Sequence, residues 1–189
     1  MTIRNETDLI NLIKEDEAMM NVLRIVKSLD LPDWWVCAGF VRSKIWDVLH
    51  GFNKKTVVPD IDVIYFYQKE KDESKDEKLE EKLRSIAPHI PWSVKNQARM
   101  HKVNDFLPYS SSFDAISKFP ETATALGIKL SDWENVILAA PYGIEDAINL
   151  QIKPTPSFIN NKKGLAIHEE RIVKKDWKST WNKIEIHHL

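Results

Sequence analysis

Trp34-Trp35-Val36-Cys37-Ala38-Gly39-Phe40-Val41-Arg42, an amphipathic run to Gly51, and then Pro59-Asp60-Ile61-Asp62-Val63-Ile64-Tyr65-Phe66 form the stretch on which the fold turns. The apolar run from Trp34 to Ala38 reads as a strand that ends in a tight turn at Gly39. Ile45, Trp46 and Leu49 recur at helical spacing, so a helix is expected from about Val41 to His50, stopped by Gly51. Pro59 opens a second strand, where its missing N–H does least harm. Residues two apart on a strand share a face, so Asp60 and Asp62 point one way and Ile61, Val63 and Tyr65 the other. Two anionic side chains held together repel unless a cation lies between them, and a hard divalent ion is the usual one. Gly39 lets a ligand approach the backbone closely, and the helix start behind it offers unpaired N–H groups suited to phosphate.

Working outward, Thr7 to Leu29 has helical periodicity with a break near Glu15-Asp16, where Asp16 is placed to cap the second part. The charged stretch from Gln68 to Arg84 reads as a loop and then a solvated helix, Lys75 to Ala87, with Leu79, Leu83 and Ile86 on one edge. Trp92 to Asn96 reads as a third strand that carries the cation Lys95 and is followed by the cations Arg99 and His101. Further strands are expected at Thr124 to Leu130 and Val136 to Ala140, and a helix at Ile144 to Leu150. Phe158 to Trp181 reads as a helix interrupted near Gly164, with Arg171 and Lys174 outside its buried stripe. Tyr109 and Tyr142 are either packed residues or platforms on which a base stacks.

A chain of 189 residues with 43% hydrophobic residues is long enough to bury a sizeable core. A formal net charge of -1 gives no basic excess, which argues against a dedicated RNA-binding protein. The lone cysteine, Cys37, excludes an internal disulfide and suits a reducing cytoplasm. No signal peptide, membrane span, internal repeat, zinc-type cysteine cluster or Walker loop is found in the sequence.

A glycine ending a strand, a helix, and Asp-x-Asp on the next strand resemble the nucleotidyltransferase superfamily that includes DNA polymerase beta and the CCA-adding enzymes. The latter carry Gly-Gly-x-Val-Arg, a leucine-rich helix, a glycine and Asp-x-Asp. This chain has Gly39-Phe40-Val41-Arg42, Ile45, Leu49, Gly51 and Asp60-Ile61-Asp62. Trp92-Ser93-Val94-Lys95-Asn96-Gln97-Ala98-Arg99-Met100-His101, Pro120-Glu121-Thr122-Ala123-Thr124-Ala125, Ala140-Pro141-Tyr142-Gly143 and Pro154-Thr155-Pro156 are similar to a bacterial, nucleotidyltransferase-like family of unknown function.

The resemblance implies an α/β (α+β) fold, a mixed twisted sheet flanked by helices. It implies a single domain over residues 1–189, with an N-terminal helical segment at 1–30, a core at 34–153 and a C-terminal helical extension at 157–189. Asp60 and Asp62 are then the catalytic carboxylates and hold magnesium, or manganese. Gly39, Phe40, Arg42, Lys95 and Arg99 are the candidate contacts to a nucleoside triphosphate. Phe40 stands where the superfamily usually has glycine or serine against the triphosphate. A third carboxylate usually comes from a later strand; here that strand offers Asn96, with Asp105 and Asp114 further on. The implied reaction moves a nucleoside monophosphate from a triphosphate to a hydroxyl of a small molecule, RNA or protein. The alternative is the same fold without turnover, binding nucleotide or a protein partner for regulation.

Overall fold

The computed structural model describes residues 2–160 and 162–188. Its centre is a five-stranded sheet of β1 (Trp35–Cys37), β2 (Ile61–Tyr65), β3 (Trp92–Asn96), β4 (Gly127–Leu130) and β5 (Val136–Ala139), in the order β3-β2-β1-β4-β5. The sheet is mixed: β2 and β3 are parallel, while β1 runs antiparallel to both β2 and β4. A parallel pair needs a long crossover, and α4 (Glu73–Ile86) supplies it between β2 and β3. The expected mixed α/β architecture is therefore present.

Each face of the sheet has its own apolar layer, as strand alternation requires. Val36, Val63, Val94 and Ile128 enter the main core. There they meet α1 (Glu6–Lys14), α2 (Glu17–Lys27) and α3 (Gly39–His50) through Leu9, Leu23, Val41 and Ile45. Trp35, Cys37, Ile64 and Ala139 lie in a smaller cluster with Ile116 of α6 (Ser112–Ser117). The expected break between the first two helices is present, and the Asp16 carboxylate accepts the Met19 N–H at 3.2 Å to cap α2. Gly51, at φ 70, ends α3 as expected.

Several boundaries differ from those read in the sequence. The helix expected over Ile144 to Leu150 stops early as α7 (Glu145–Ile148), and Gln151–Ile152 forms β6. β6 pairs in parallel with β7 (Glu185–Ile186), a match between two-residue strands that no local periodicity announces. The strand expected from Thr124 begins at Gly127, because Thr122–Thr124 turn as a 3-10 helix around Glu121.

The single C-terminal helix is three: α8 (Pro156–Ile159), α9 (Lys162–Lys175) and α10 (Trp177–Thr180). Asn161 of that expected helix lies outside the described residues. One break is at Asp176, whose φ of 41 is left-handed. Gly164 lies inside α9: a Cβ there would come within 2.7 Å of the Phe158 carbonyl oxygen, so this glycine lets α9 pack on α8. Between β3 and α6 lies α5 (Gln97–Met100). On α4, Leu83 is buried, but Ile86 is exposed and Asp76 is buried in its place.

Candidate functional site

β1 ends at Cys37, and the chain turns into α3 at Ala38, not at Gly39. Ala38 has φ 53 and ψ -117, a conformation few residues other than glycine adopt, and Gly39 is the first helical residue. No side chain caps this helix, so its first N–H groups are open. Ala38 and Gly39 line a cleft of about 490 Å³. The antiparallel register sets Cys37 opposite Asp62, which brings the end of β2 beside the helix start. Asp60 and Asp62 both line the same cleft, as their spacing predicts.

No hydrogen bond or ion pair ties either carboxylate to another described residue. Burial and the neighbouring Asp60 charge raise the Asp62 pKa to about 6, against the opposing pull of Lys175, Arg42 and Arg171. Burial also pushes the Cys37 thiol well above its usual range, with Asp62 and Asp33 adding to the shift. That cysteine is an inert packing residue.

Five cationic side chains line the same cleft: Arg42, Lys95, Lys118, Arg171 and Lys175. Arg42 is the most enclosed. Its guanidinium carbon lies 4.8 Å from the ring centroids of both Trp46 and Trp177 and 6.0 Å from that of Trp181. Burial lowers its pKa to about 10, which leaves it charged at neutral pH. Its Nε has no hydrogen-bond partner among the described residues.

Arg171, expected to face solvent, turns inward. Its Nε donates to Glu121 Oε1 at 2.8 Å and its guanidinium donates to Glu121 Oε2 at 3.2 Å. Glu121 is wholly buried and also accepts the Thr124 hydroxyl at 2.8 Å. Periodicity alone hid this, since the Glu121–Arg171 pair joins positions fifty residues apart.

Two expected phosphate contacts lie elsewhere. Phe40 packs against the main core and lines a second pocket. Position 40 falls on a face of α3 next to the cleft-lining one, and Ser43 borders both pockets. Arg99, on α5, forms an ion pair with buried Asp76 and lies 3.4 Å from Glu73, which ties it to α4 and leaves it outside the cleft lining. Lys95 does line the cleft, within 3.9 Å of Glu80 and 4.0 Å of Glu73.

Tyr109 is buried in the cleft wall, whereas the Tyr142 hydroxyl donates to the Ser117 carbonyl at 2.6 Å. Asn96 caps α5 and bonds Tyr67, Asp105 pairs with Lys163, and Asp114 accepts the Ser110 N–H at 2.9 Å. None of these three lines the cleft.

A family model described as Nucleotidyltransferase matches residues 24–186. The chain belongs to the nucleotidyltransferase family. Among solved structures, an NMR structure reported to reveal a CCA-adding enzyme head domain is 36% identical, with a TM-score of 0.88. That match covers 100% of this chain and 98% of the other. The Thermotoga maritima CCA-adding enzyme complexed with tRNA is 17% identical with a TM-score of 0.57. A CCA-adding enzyme in complex with ATP is likewise 17% identical, with a TM-score of 0.54. Both share the fold; this chain spans 43% and 44% of their lengths. No curated protein matches the chain.

Within this nucleotidyltransferase, the residues present fit a divalent metal in one respect. Asp60 and Asp62 are hard oxygen donors with no partner among the described residues, and their mutual repulsion is relieved by a cation. Among the described residues, no three carboxylate, imidazole or thiolate groups gather for a metal. No described helix is long and apolar enough to cross a membrane.

Proposed function

We propose that the chain transfers a nucleoside monophosphate from a nucleoside triphosphate to a hydroxyl acceptor, with Asp60 and Asp62 holding magnesium or manganese. The supporting observation is the cleft itself, whose lining brings together two unpaired carboxylates, an uncapped helix start and five cations. Bound metal would neutralise phosphate charge and help activate the attacking oxygen. The Gly39 end of α3 directs its free N–H groups toward a phosphate oxygen. Arg42 presents a guanidinium packed against Trp46 and Trp177, and its planar fork suits bidentate phosphate contact. Arg171, steadied by Glu121, and Lys175 supply further positive charge in the cleft. The cleft is flanked by the exposed side chains of Val57 and Val103.

The test is transfer of α-phosphate radiolabel from each triphosphate to small-molecule, RNA and protein acceptors in magnesium and manganese. Labelled acceptor is expected, with Asp60→Asn and Asp62→Asn each reducing it by at least about 100-fold, a barrier increase of about 2.7 kcal/mol. A second reading, a nucleotide-binding module without turnover, is favoured by the cleft lining holding only two carboxylates. Metal-dependent nucleotide binding with no label transferred and no pyrophosphate released would select it.

A further inference from the structure

Gly164, His168 and Ile172 recur at helical spacing on α9, and all of them are buried. The stripe that faces inward therefore carries an imidazole at its centre. His168 is wholly buried, stands one turn before Arg171 and lies outside the cleft lining. Neither of its ring nitrogens has a hydrogen-bond partner among the described residues. A neutral imidazole presents one N–H donor and one bare nitrogen, and burying such a donor unpaired is costly.

Its Nδ1 lies 3.9 Å from Glu121 Oε1. The donors to Glu121 are shared unevenly between its oxygens. Oε2 accepts both the Arg171 guanidinium at 3.2 Å and the Thr124 hydroxyl at 2.8 Å. Oε1 accepts only the Arg171 Nε–H, at 2.8 Å, among the described residues. A carboxylate oxygen has lone pairs for two donors, so the open place is on the oxygen that the imidazole approaches. A movement of about 1 Å brings Nδ1–H to bonding distance.

Arg171 gives that place a use. Glu121 takes two of its N–H groups, and the guanidinium also lines the cleft. An anion on the remaining N–H groups draws the guanidinium away from Glu121. A wholly buried carboxylate cannot recover the lost donor from water. We propose that His168 is a positioning residue for Arg171. It donates Nδ1–H to Glu121 Oε1 as Arg171 engages a polyphosphate, so the guanidinium enters the cleft without stranding the buried carboxylate. The inference rests on the proposed triphosphate cleft and extends it to a residue behind the lining.

The full chain, isotope-labelled in its histidine ring nitrogens, is titrated with inorganic tripolyphosphate in magnesium and followed by NMR. A saturable displacement of the His168 Nδ1 resonance is expected, with the midpoint of the calorimetric binding isotherm. His168→Leu should weaken tripolyphosphate about tenfold, the scale of one hydrogen bond to a charged group. His168→Asn, whose amide nitrogen can stand where Nδ1 does, should restore most of that loss. If His168→Leu does not fold, the ring resonance of the parent decides alone. Tripolyphosphate binding with an unmoved Nδ1, or with equal affinity in the Leu and Asn variants, overturns this inference and leaves the proposed reaction standing. No binding of tripolyphosphate overturns both this inference and the triphosphate cleft.

Discussion

Asp62 has a folded pKa of about 6 against an ordinary 3.8. Between those values the folded protein keeps a proton that the unfolded chain has released, so stability falls as pH rises from about 4 to 6. Above 6 the cost is fully present. Because the group is half-buried and keeps part of its water, about 2 kcal/mol is the ceiling. Asp62→Asn should therefore stabilise the metal-free protein by up to about 2 kcal/mol at pH 7.5 and leave it unchanged below pH 4, read from urea unfolding in chelator. Added magnesium should narrow that difference. At about 10 mM ion and a dissociation constant of about 1 mM, the parent gains about 1.4 kcal/mol and the variant nothing. Identical metal responses would remove the carboxylates from the site. Ala38 supports a second residue-scale prediction. Its left-handed φ costs an alanine roughly 1 to 3 kcal/mol, less the entropy a glycine loses on folding, so Ala38→Gly should raise stability by about 1 kcal/mol in the same assay. A loss would mean that the alanine methyl makes a packing contribution larger than the strain.

Among the elements, α3 meets α10 and the residue that ends it through Arg42, Trp46, Trp177 and Trp181. Arg42→Lys keeps the charge but loses the flat guanidinium that fits between rings 4.8 Å away. Triphosphate affinity should fall by roughly five- to tenfold in calorimetry, the scale of a partly desolvated cation–π contact. Trp181→Phe removes the indole N–H from Asp47 and leaves a buried carboxylate oxygen short of one donor. The expected cost is about 2 kcal/mol in thermal and urea unfolding; a change below about 0.5 kcal/mol would mean that water replaces the indole. The elements around these residues differ in how well the sequence announces them. β1, α3, β2 and β3 are legible because each carries its own apolar period and its own stop, as Gly51 does for α3. The direction of Arg171 is not legible, because a buried glutamate fifty residues earlier decides which way it turns. Arg99 misleads for the same reason: the partner that takes it from the cleft is Asp76, buried on a helix whose charge pattern reads as solvated. Phe40, expected as a triphosphate contact, lines the second pocket on a neighbouring face of α3. A helical residue's side is fixed by its register, and an alanine at positive φ is not a signal a sequence pattern offers.

Across the whole molecule, the cleft is closed by contacts between distant parts of the chain. Trp181 reaches Asp47 over 134 residues, and the Lys183 N–H reaches the His50 imidazole over 133. β6 and β7 add a strand pair to the same closure. Contacts this far apart in sequence form late, because the intervening loop must first be ordered. This arrangement has a consequence during translation. A ribosome adding about 5 to 20 residues per second delivers Asp60 and Asp62 roughly 5 to 20 seconds before Arg171 and Trp181. Throughout that interval the emerging polypeptide carries the acidic pair without the cations of α9 or the tryptophans of α10 that steady Arg42. Such a nascent chain holds Arg42, Lys95 and Lys118 but lacks Arg171 and Lys175, so the cleft's full hold on phosphate is completed only when the distal segment has left the exit tunnel.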